Sequence, residues 1–266
     1  MAADGGFFEV VLCRLHFNAR GPLHFPAGMP ANLVRGILGA ALYGSPAYGR
    51  IFAPRAETGP SGLKDVPRPF VLRAGHLDGC RVQTGQPFHI DVHIFIPEEA
   101  AAEEIRGAFA RWARAELLRA EVSRISVPLV PPAAPVRNLR VRFLSPTELK
   151  SGSRIAARPE FAVLLARARD RVSTLRAAYG PGPLEIDFAG MARRAAQVRL
   201  AFCQLRHVCV ERLSRATGRR HPLGGMVGEA VYEGELAEFL PLLRAAEWTG
   251  VGRQTVWGHG AICVEV

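Results

Sequence analysis

Four glycines, an arginine and a glutamine lie close together near the end of the chain, in residues 250–260. A glycine inside a helix or a strand costs about 0.5–1 kcal/mol relative to alanine, so this density of glycines predicts a loop. Backbone N–H groups without a Cβ beside them can form a concavity that suits phosphate oxygens, and a guanidinium adds positive charge. We therefore predict that this loop contacts phosphate or base groups. The predicted contacts are Gly250, Gly252, Arg253, Gln254, Gly258 and Gly260.

The positive charge of the chain is concentrated in residues 136–220. The whole chain carries a net charge of +10, but this segment alone holds 18 basic and six acidic residues, so the remainder is slightly acidic. A preference for arginine spread evenly along the chain would not produce that difference. A local concentration of positive charge attracts a polyanion, which is therefore the predicted partner. We predict RNA contacts within this segment from Arg140, Arg142, Lys150, Arg154, Arg167, Arg171, Arg215, Arg219 and Arg220.

The hydrophobic pattern predicts the elements that position these residues. In residues 1–130 it gives the order strand, helix, strand, strand, helix, strand, with the second helix running from residue 98 to about residue 120. A proline-rich linker follows at 131–135. The same order then returns in residues 136–266, with a basic helical insertion at about 155–197. The predicted fold class is therefore α+β, with two tandem ferredoxin-like domains.

Other common classes of protein fit the sequence poorly. The five cysteines are scattered and form no C-x-x-C pair, so we expect neither disulfides nor a zinc ribbon. His89, Asp91 and His93 alternate along one strand, where the first and last backbones are ~13 Å apart, so we expect no metal there and no cofactor elsewhere. The first residues lack the features of a signal peptide, and no apolar run is long enough to span a membrane. We expect a cytoplasmic protein.

The segments 222–236 and 239–248, read together with the glycine-rich loop, carry a family resemblance. They resemble the C-terminal domain of the CRISPR-associated RAMP-superfamily endoribonucleases, which cut precursor CRISPR RNA within its repeats. The resemblance is strong over about residues 136–266 and looser before them. It implies that the loop lies between the last helix and the last strand of a ferredoxin-like domain and contacts RNA.

The resemblance also implies a reaction and a set of candidate catalytic residues. Relatives cut without a metal ion, by attack of the 2′-hydroxyl on the adjacent phosphate, which gives a 2′,3′-cyclic phosphate and a 5′-hydroxyl. Many members place a histidine on or near the first helix, but helix 31–43 of this chain contains none. We therefore predict Arg20, His24 and Arg35 as the catalytic set. An imidazole can accept a proton near neutral pH, whereas an arginine supplies only charge and hydrogen bonds.

The predicted function is a metal-independent endoribonuclease that binds a CRISPR repeat stem-loop and keeps its product as a subunit of an effector complex. A non-catalytic RAMP subunit that binds CRISPR RNA is the main alternative, and the absence of a histidine from helix 31–43 favours it. The basic composition alone would also allow a general nucleic-acid chaperone. The expected partners are the repeat RNA and other CRISPR effector subunits.

Overall fold

A computed structural model describes residues 6–55, 66–213 and 220–266 of the chain. The chain forms two compact units, each with its own sheet. Unit 1 comprises Met1–Val127, Ser173–Leu184 and Val256–Gly258, and unit 2 comprises Pro128–Val172, Glu185–Thr255 and His259–Val266. The predicted domain boundaries at residues 130 and 136 stay a prediction. No helix in the described residues has the length and apolar character needed to cross a membrane.

Unit 1 is built on a four-stranded antiparallel sheet with two helices. Its elements are β1 (Phe7–Ala19), β2 (Leu23–His24), α1 (Pro30–Leu42), β3 (Phe70–Arg73), β4 (Arg81–Val82), β5 (Pro87–Ile94), α2 (Glu99–Ala110) and β6 (Ala115–Pro128). The sheet order is β3-β5-β1-β6, and β2 and β4 form a separate short ladder. Side chains alternate between the two faces of a strand. In the antiparallel register of β1 with β5, buried residues face buried residues, such as Leu15 opposite Ile90 and Phe17 opposite Phe88.

The core of unit 1 is centred on Phe17 of β1. Its ring stacks on Phe88 at 5.1 Å between centroids and meets Trp112 edge-on at 5.5 Å. Phe109 of α2 contacts the same ring at 6.1 Å. These aromatic contacts attach the end of α2 and the turn after it to the sheet.

The prediction that the second helix runs to about residue 120 is wrong. Helix α2 ends at Ala110, and Ala115 already begins strand β6, which lies beside β1. The residues of 115–120 have adequate helix propensity, but pairing with the sheet overrides a preference of a few tenths of a kcal/mol per residue. The turn at 111–114 lets Trp112 reach the core.

Unit 2 repeats the same strand order. Its elements are β7 (Asn138–Thr147), β8 (Lys150–Ser151), β9 (Arg154–Ile155), α3 (Phe161–Tyr179), α4 (Phe188–Ala195), β10 (Arg199–Leu213), β11 (Arg220–Glu233), α5 (Leu240–Thr249) and β12 (Ile262–Glu265). The last two turns of α3, about 173–179, belong to unit 1. The sheet order is β10-β11-β7-β12, while β8 and β9 form a small hairpin.

Both sheets have the strand order of a ferredoxin-like domain. In each, the first and third large strands lie in the middle, and the second and fourth lie at the edges. The predicted α+β class with two tandem ferredoxin-like sheets is confirmed. Helices α3 and α4, predicted as an insertion, occupy the connection between the first and second strands of the second sheet.

Strands β10 and β11 extend beyond the rest of the second sheet. Their pairing continues from Arg199 opposite Glu233 to Leu213 opposite Arg220. Strand β7 pairs with β11 only between Met226 and Glu233. Within the described residues, 209–213 and 220–224 therefore form a two-stranded ribbon.

The core of unit 2 contains one buried polar contact that links sheet and helix. Phe161 of α3 packs edge-on against Tyr232 and Phe239, at 5.1 and 5.2 Å between ring centroids. The hydroxyl of the fully buried Tyr232 donates a hydrogen bond of 2.7 Å to the carbonyl oxygen of Pro159, just before α3. This bond fixes the start of α3 on strand β11.

Tyr232→Phe should lower the free energy of unfolding by about 1–2 kcal/mol, because the carbonyl of Pro159 would lose its buried donor. Urea denaturation followed by circular dichroism measures the change. Tyr43→Phe is the matched control, since 78% of Tyr43 is exposed, and its effect should stay within about 0.5 kcal/mol. Equal effects of the two substitutions would contradict the assignment.

Candidate functional site

The glycine-rich loop connects α5 to β12 through a backbone that depends on left-handed residues. Its four glycines have φ values of 71°, 80°, 82° and 70°, at positions 250, 252, 258 and 260. Gln254, with φ of 63°, is the one non-glycine residue with positive φ in the described part of the chain. This conformation costs a residue with a Cβ roughly 1 kcal/mol or more. The contacts of the loop therefore hold Gln254 in a backbone conformation that is locally unfavourable.

Several amides of the loop are already hydrogen-bonded within the protein. The N–H of Gly260 donates to the carbonyl of Pro146, that of Arg253 to Glu148 and that of Val251 to Gly260, at 2.9–3.0 Å. The amide of Gly250 donates to the last turn of α5. Gly250 and Gly260 are also buried. These amides hold the loop on the end of β7, and contact of the loop glycines with phosphate stays a prediction.

Lack of space explains why glycines occupy this loop. A Cβ on Gly260 would lie 2.1 Å from the carbonyl oxygen of Val251, and one on Gly252 would lie 2.4 Å from that of Glu148. In unit 1, a Cβ on Gly258 would lie 2.6 Å from the Cβ of Ala31 on α1. The absence of side chains therefore serves close packing of the loop.

Arg35 of α1 lies between two aromatic rings of unit 1. Its guanidinium carbon is 4.6 Å from the ring centroid of Phe52 and 4.9 Å from that of Trp257. Both distances are within the range of cation–π contacts, which contribute about 0.5–2 kcal/mol each. Trp257 is half-buried and packs on this arginine.

His24 lines an open cavity of unit 1 with a volume of about 620 Å³. It is exposed on β2, directly across from Arg81 of β4. The lining residues are Pro22, Leu23, His24, Leu33, Ile37, Arg81, Val82, Gln83, Trp112 and Arg114. None of them is acidic, so the cavity combines an apolar wall with cationic groups that can attract an anion.

Of the three predicted catalytic residues, His24 alone lines this cavity. The amide of the exposed Arg20 donates to the carbonyl of Arg114, which lines the His24 cavity. Leu33 and Ile37 are the α1 residues that line the cavity. Arg35 lies two positions from each along the helix, which places it roughly 160–200° around the helix from them. It therefore points from the other face of α1, and its role in catalysis stays a prediction.

Many of the predicted RNA-binding arginines form ion pairs or protein hydrogen bonds. Arg142 lies 3.5 Å from Glu265, Arg167 2.9 Å from Asp170 and Arg253 2.8 Å from Glu148. Arg140 lies 3.9–4.0 Å from Glu229 and Glu265, and Arg171 donates to the carbonyl of Thr249 at 2.7 Å. These partners reduce the local positive potential that an approaching phosphate meets.

The β8–β9 hairpin presents basic side chains of a different kind. Lys150 and Arg154 are exposed, and neither has a carboxylate within 4 Å among the described residues. The hairpin turns at Gly152, with φ of 59°. Of the remaining predicted contacts, Arg215 and Arg219 lie outside the described residues, and Arg220 begins β11.

Three basic residues that the sequence analysis did not select also lie at cavities. Arg81 and Arg114 line the His24 cavity, and Arg206 of β10 lines a groove of about 550 Å³ on the sheet of unit 2. Arg206 has no carboxylate within 4 Å among the described side chains. Only their charge marks these residues in the sequence, because contacts between distant segments place them at the cavities.

Strand β5 does not gather metal ligands in the described part of the chain. Asp91 receives two hydrogen bonds from Arg14, at 2.7 and 2.8 Å. Burial opposes ionisation of Asp91, but the hydrogen bonds and charge of Arg14 outweigh it and lower the pKa of the carboxyl group. Burial, followed by the neighbouring His76, lowers the pKa of His89. The two histidine rings stack at 4.0 Å between centroids.

Comparison with known proteins supports the resemblance predicted from the sequence. Residues 141–262 match the family model of the CRISPR-associated endoribonuclease Cas6. No curated protein matches the chain by sequence. The matched segment runs from β7 to β12 and so includes the glycine-rich loop.

Solved structures of Cas6 proteins share the fold of the chain. Thermus thermophilus Cas6 superimposes with a TM-score of 0.62 and 17% identity over 100% of both chains. A Cas6 product complex gives a TM-score of 0.60 and 20% identity, over 96% of this chain and 100% of the other. A partial Cas6-RT-Cas1–Cas2 complex gives 0.65 and 12% identity, over 100% of this chain and 47% of the other. Together with the family-model match, these structures confirm the predicted resemblance.

Gly260→Ala should lower the free energy of unfolding by more than about 2 kcal/mol, because the new Cβ would meet a backbone oxygen and the residue would keep a positive φ. Chemical denaturation of the two proteins measures the difference. Gly36→Ala on the exposed face of α1 is the matched control, since its Cβ meets no atom within 4 Å, and it should stabilise the protein by up to about 1 kcal/mol. A Gly260→Ala protein as stable as the parent would contradict this packing.

Proposed function

We propose that the chain is a Cas6-type endoribonuclease that cuts CRISPR repeat RNA without a metal ion. The observation that carries this proposal is the match of residues 141–262 to the Cas6 endoribonuclease family. The shared fold over the whole chain and the concentration of arginine in residues 136–220 support it. The protein would act in the cytoplasm on the stem-loop of a repeat.

The reaction we propose begins with attack of a ribose 2′-oxygen on the adjacent phosphorus. The bond from phosphorus to the 5′-oxygen breaks, which gives a 2′,3′-cyclic phosphate and a 5′-hydroxyl. His24 would accept the proton of the 2′-hydroxyl, since its imidazole is exposed at the edge of a cavity that can admit a nucleotide. Arg20 would stabilise the extra negative charge of the phosphorane, and a solvent water can protonate the leaving 5′-oxygen.

Arg35 fits a positioning role in this proposal better than contact with the reacting atoms. Its guanidinium is enclosed by Phe52 and Trp257, and it leaves α1 on the face away from His24. The contact with Trp257 would hold the segment 256–258 on α1. Within unit 1, Arg35 would thereby fix this segment, and Arg253 and Gln254 of unit 2 would contact RNA.

RNA binding would depend most on cations that have no acidic partner. Lys150 and Arg154 on the β8–β9 hairpin meet this condition among the described residues, and they are exposed. Arg140, Arg142 and Arg167 would have to exchange a carboxylate for a phosphate, which reduces the net free energy that each contributes to RNA binding. One similar structure is a Cas6 product complex, and another is a partial Cas6-RT-Cas1–Cas2 complex. By analogy, we propose that this chain retains its cut RNA and joins other CRISPR proteins.

A non-catalytic RNA-binding subunit is the second candidate. One observation favours it: Arg35 is not among the residues that line the cavity beside His24. Such a subunit would bind repeat RNA as tightly as an enzyme and leave it intact. Cleavage assays in EDTA distinguish the two candidates directly.

His24→Ala should lower the single-turnover rate of repeat cleavage by about 10²-fold, the lower end of the range for loss of a general base, while RNA affinity stays within about twofold. The assay uses repeat RNA in EDTA, and a 2′-deoxy substitution at the scissile nucleotide should abolish cleavage. His76→Ala, which removes an exposed histidine of unit 1 outside the cavity, should cut at the parent rate. If His24→Ala also cuts at the parent rate, His24 is not the base.

Arg154→Ala should weaken binding of repeat RNA by roughly 5- to 10-fold and reduce the salt dependence by about one counterion, because it removes a phosphate contact. Titrations at several salt concentrations measure both quantities. Arg142→Ala is the matched control: it also removes an exposed arginine, but one paired with Glu265, so it should have a smaller effect. A larger loss with Arg142→Ala would show that ion pairing does not decide which cations bind RNA.

A further inference from the structure

We infer that the cavity beside His24 holds one unpaired ribonucleotide of the bound RNA, with its base against the apolar wall and its phosphate facing Arg81 and Arg114. The inference rests on the proposed function in one respect, namely that the nucleotide belongs to a bound RNA. The cavity itself is a property of unit 1. Its volume of about 620 Å³ is within the range of small-molecule sites, roughly 300–1,000 Å³.

The wall that would receive the base is apolar and rigid. Leu33 and Ile37 are four residues apart, on one face of α1, and both line the cavity. Trp112 completes this side, and its ring is held edge-on by Phe17 and Phe88, at 5.5 and 5.6 Å between centroids. A flat base can cover such a wall without first ordering it, which lowers the entropic cost of binding. The amide side chain of Gln83 lies at the same cavity and can donate to and accept from a base edge.

The cavity also has a cationic side, formed by Arg81 and Arg114. Arg81 is the cross-strand neighbour of His24, so the β2–β4 ladder sets the two side chains beside each other. The guanidinium of Arg114 donates to the carbonyl of Pro22, which holds it at the rim. No acidic residue lines the cavity, and neither arginine has a carboxylate within 4 Å in the described part of the chain. The cationic side can therefore bind a phosphate without displacing an ion pair.

The combination of these two sides selects the ligand. A phosphate ion would use the arginines and leave the apolar wall wet, and an apolar ligand would leave the arginines without an anion. A nucleotide covers both. In a duplex the base is stacked and paired, so only an unpaired nucleotide can present its base to a side wall. Arg81 and Arg114 thus bind and position the RNA next to His24.

The test is the response of the Trp112 indole N–H resonance to nucleotides in the full-length protein. The chain has three tryptophans, so Trp248→Phe and Trp257→Phe variants identify the Trp112 signal by elimination. The probes are adenosine 5′-monophosphate, uridine 5′-monophosphate, inorganic phosphate, single-stranded repeat RNA and a fully paired RNA duplex. We expect both nucleotides and the single-stranded RNA to shift the resonance, and phosphate and the duplex to leave it unchanged.

Substitutions at Arg81 and Ile37 test the cationic and the apolar side of the cavity independently. Arg81→Ala should weaken nucleotide binding at least fivefold, and Arg81→Lys should restore part of it. Ile37→Trp, which fills the apolar side, should abolish the nucleotide response. Arg119→Ala is the control, because it removes an exposed arginine of unit 1 that is paired with Glu121 outside the cavity, and it should bind nucleotides as the parent does.

Three outcomes would overturn the inference. The Trp112 resonance could remain unchanged with nucleotides, phosphate alone could shift it equally, or free nucleotides could bind while single-stranded RNA fails to compete. The inference and the proposed function fail separately. Cleavage of repeat RNA without a response of Trp112 would contradict the nucleotide pocket and support the proposed enzyme. A response of Trp112 without cleavage would support the pocket and contradict the proposed enzyme.

Discussion

Main-chain hydrogen bonds between the glycine-rich loop and the end of β7 are the constraint on which the candidate site depends. The amides of Arg253 and Gly260 reach the carbonyls of Glu148 and Pro146 only because the backbone passes through positive φ and has no side chains in the way. The same loop carries Trp257, which contacts Arg35. A loop with larger residues could not follow this path, so its composition follows from packing before any contact with RNA is considered.

Electrostatic pairing determines how the strong positive charge of the chain is distributed. Arg142 on β7 lies beside a carboxylate of the neighbouring strand β12, and Arg167 lies beside a carboxylate of its own helix α3. Such exposed pairs contribute little stability while reducing the local potential. The cavity beside His24 and the β8–β9 hairpin have cations without acidic neighbours among the described residues. An anionic strand would therefore meet a few separate positive regions, although the composition alone suggests one continuous basic surface.

The sequence was sufficient for the order of strands and helices but not for the site. Alternation in β1, β5 and β7 and the proline-rich linker predicted two ferredoxin-like sheets, because period-two patterns report burial directly. The end of α2 was missed, since sheet pairing of β6 overrides local propensity. Arg81 was not found because its place beside His24 depends on a two-residue ladder between segments 57 positions apart. The carboxylates beside Arg140 and Arg142 depend in the same way on the register of distant strands.

The two-stranded ribbon formed by residues 209–213 and 220–224 has a consequence for motion. Beyond Met226 no third strand flanks β11 in the described residues, and a hairpin with only two strands is marginally stable in water by itself. Its amide protons should exchange with deuterium long before those of the four-stranded part, as a local opening that leaves the sheet intact. A ribbon of this kind can change its twist at little energetic cost, and so can follow the contour of whatever it meets.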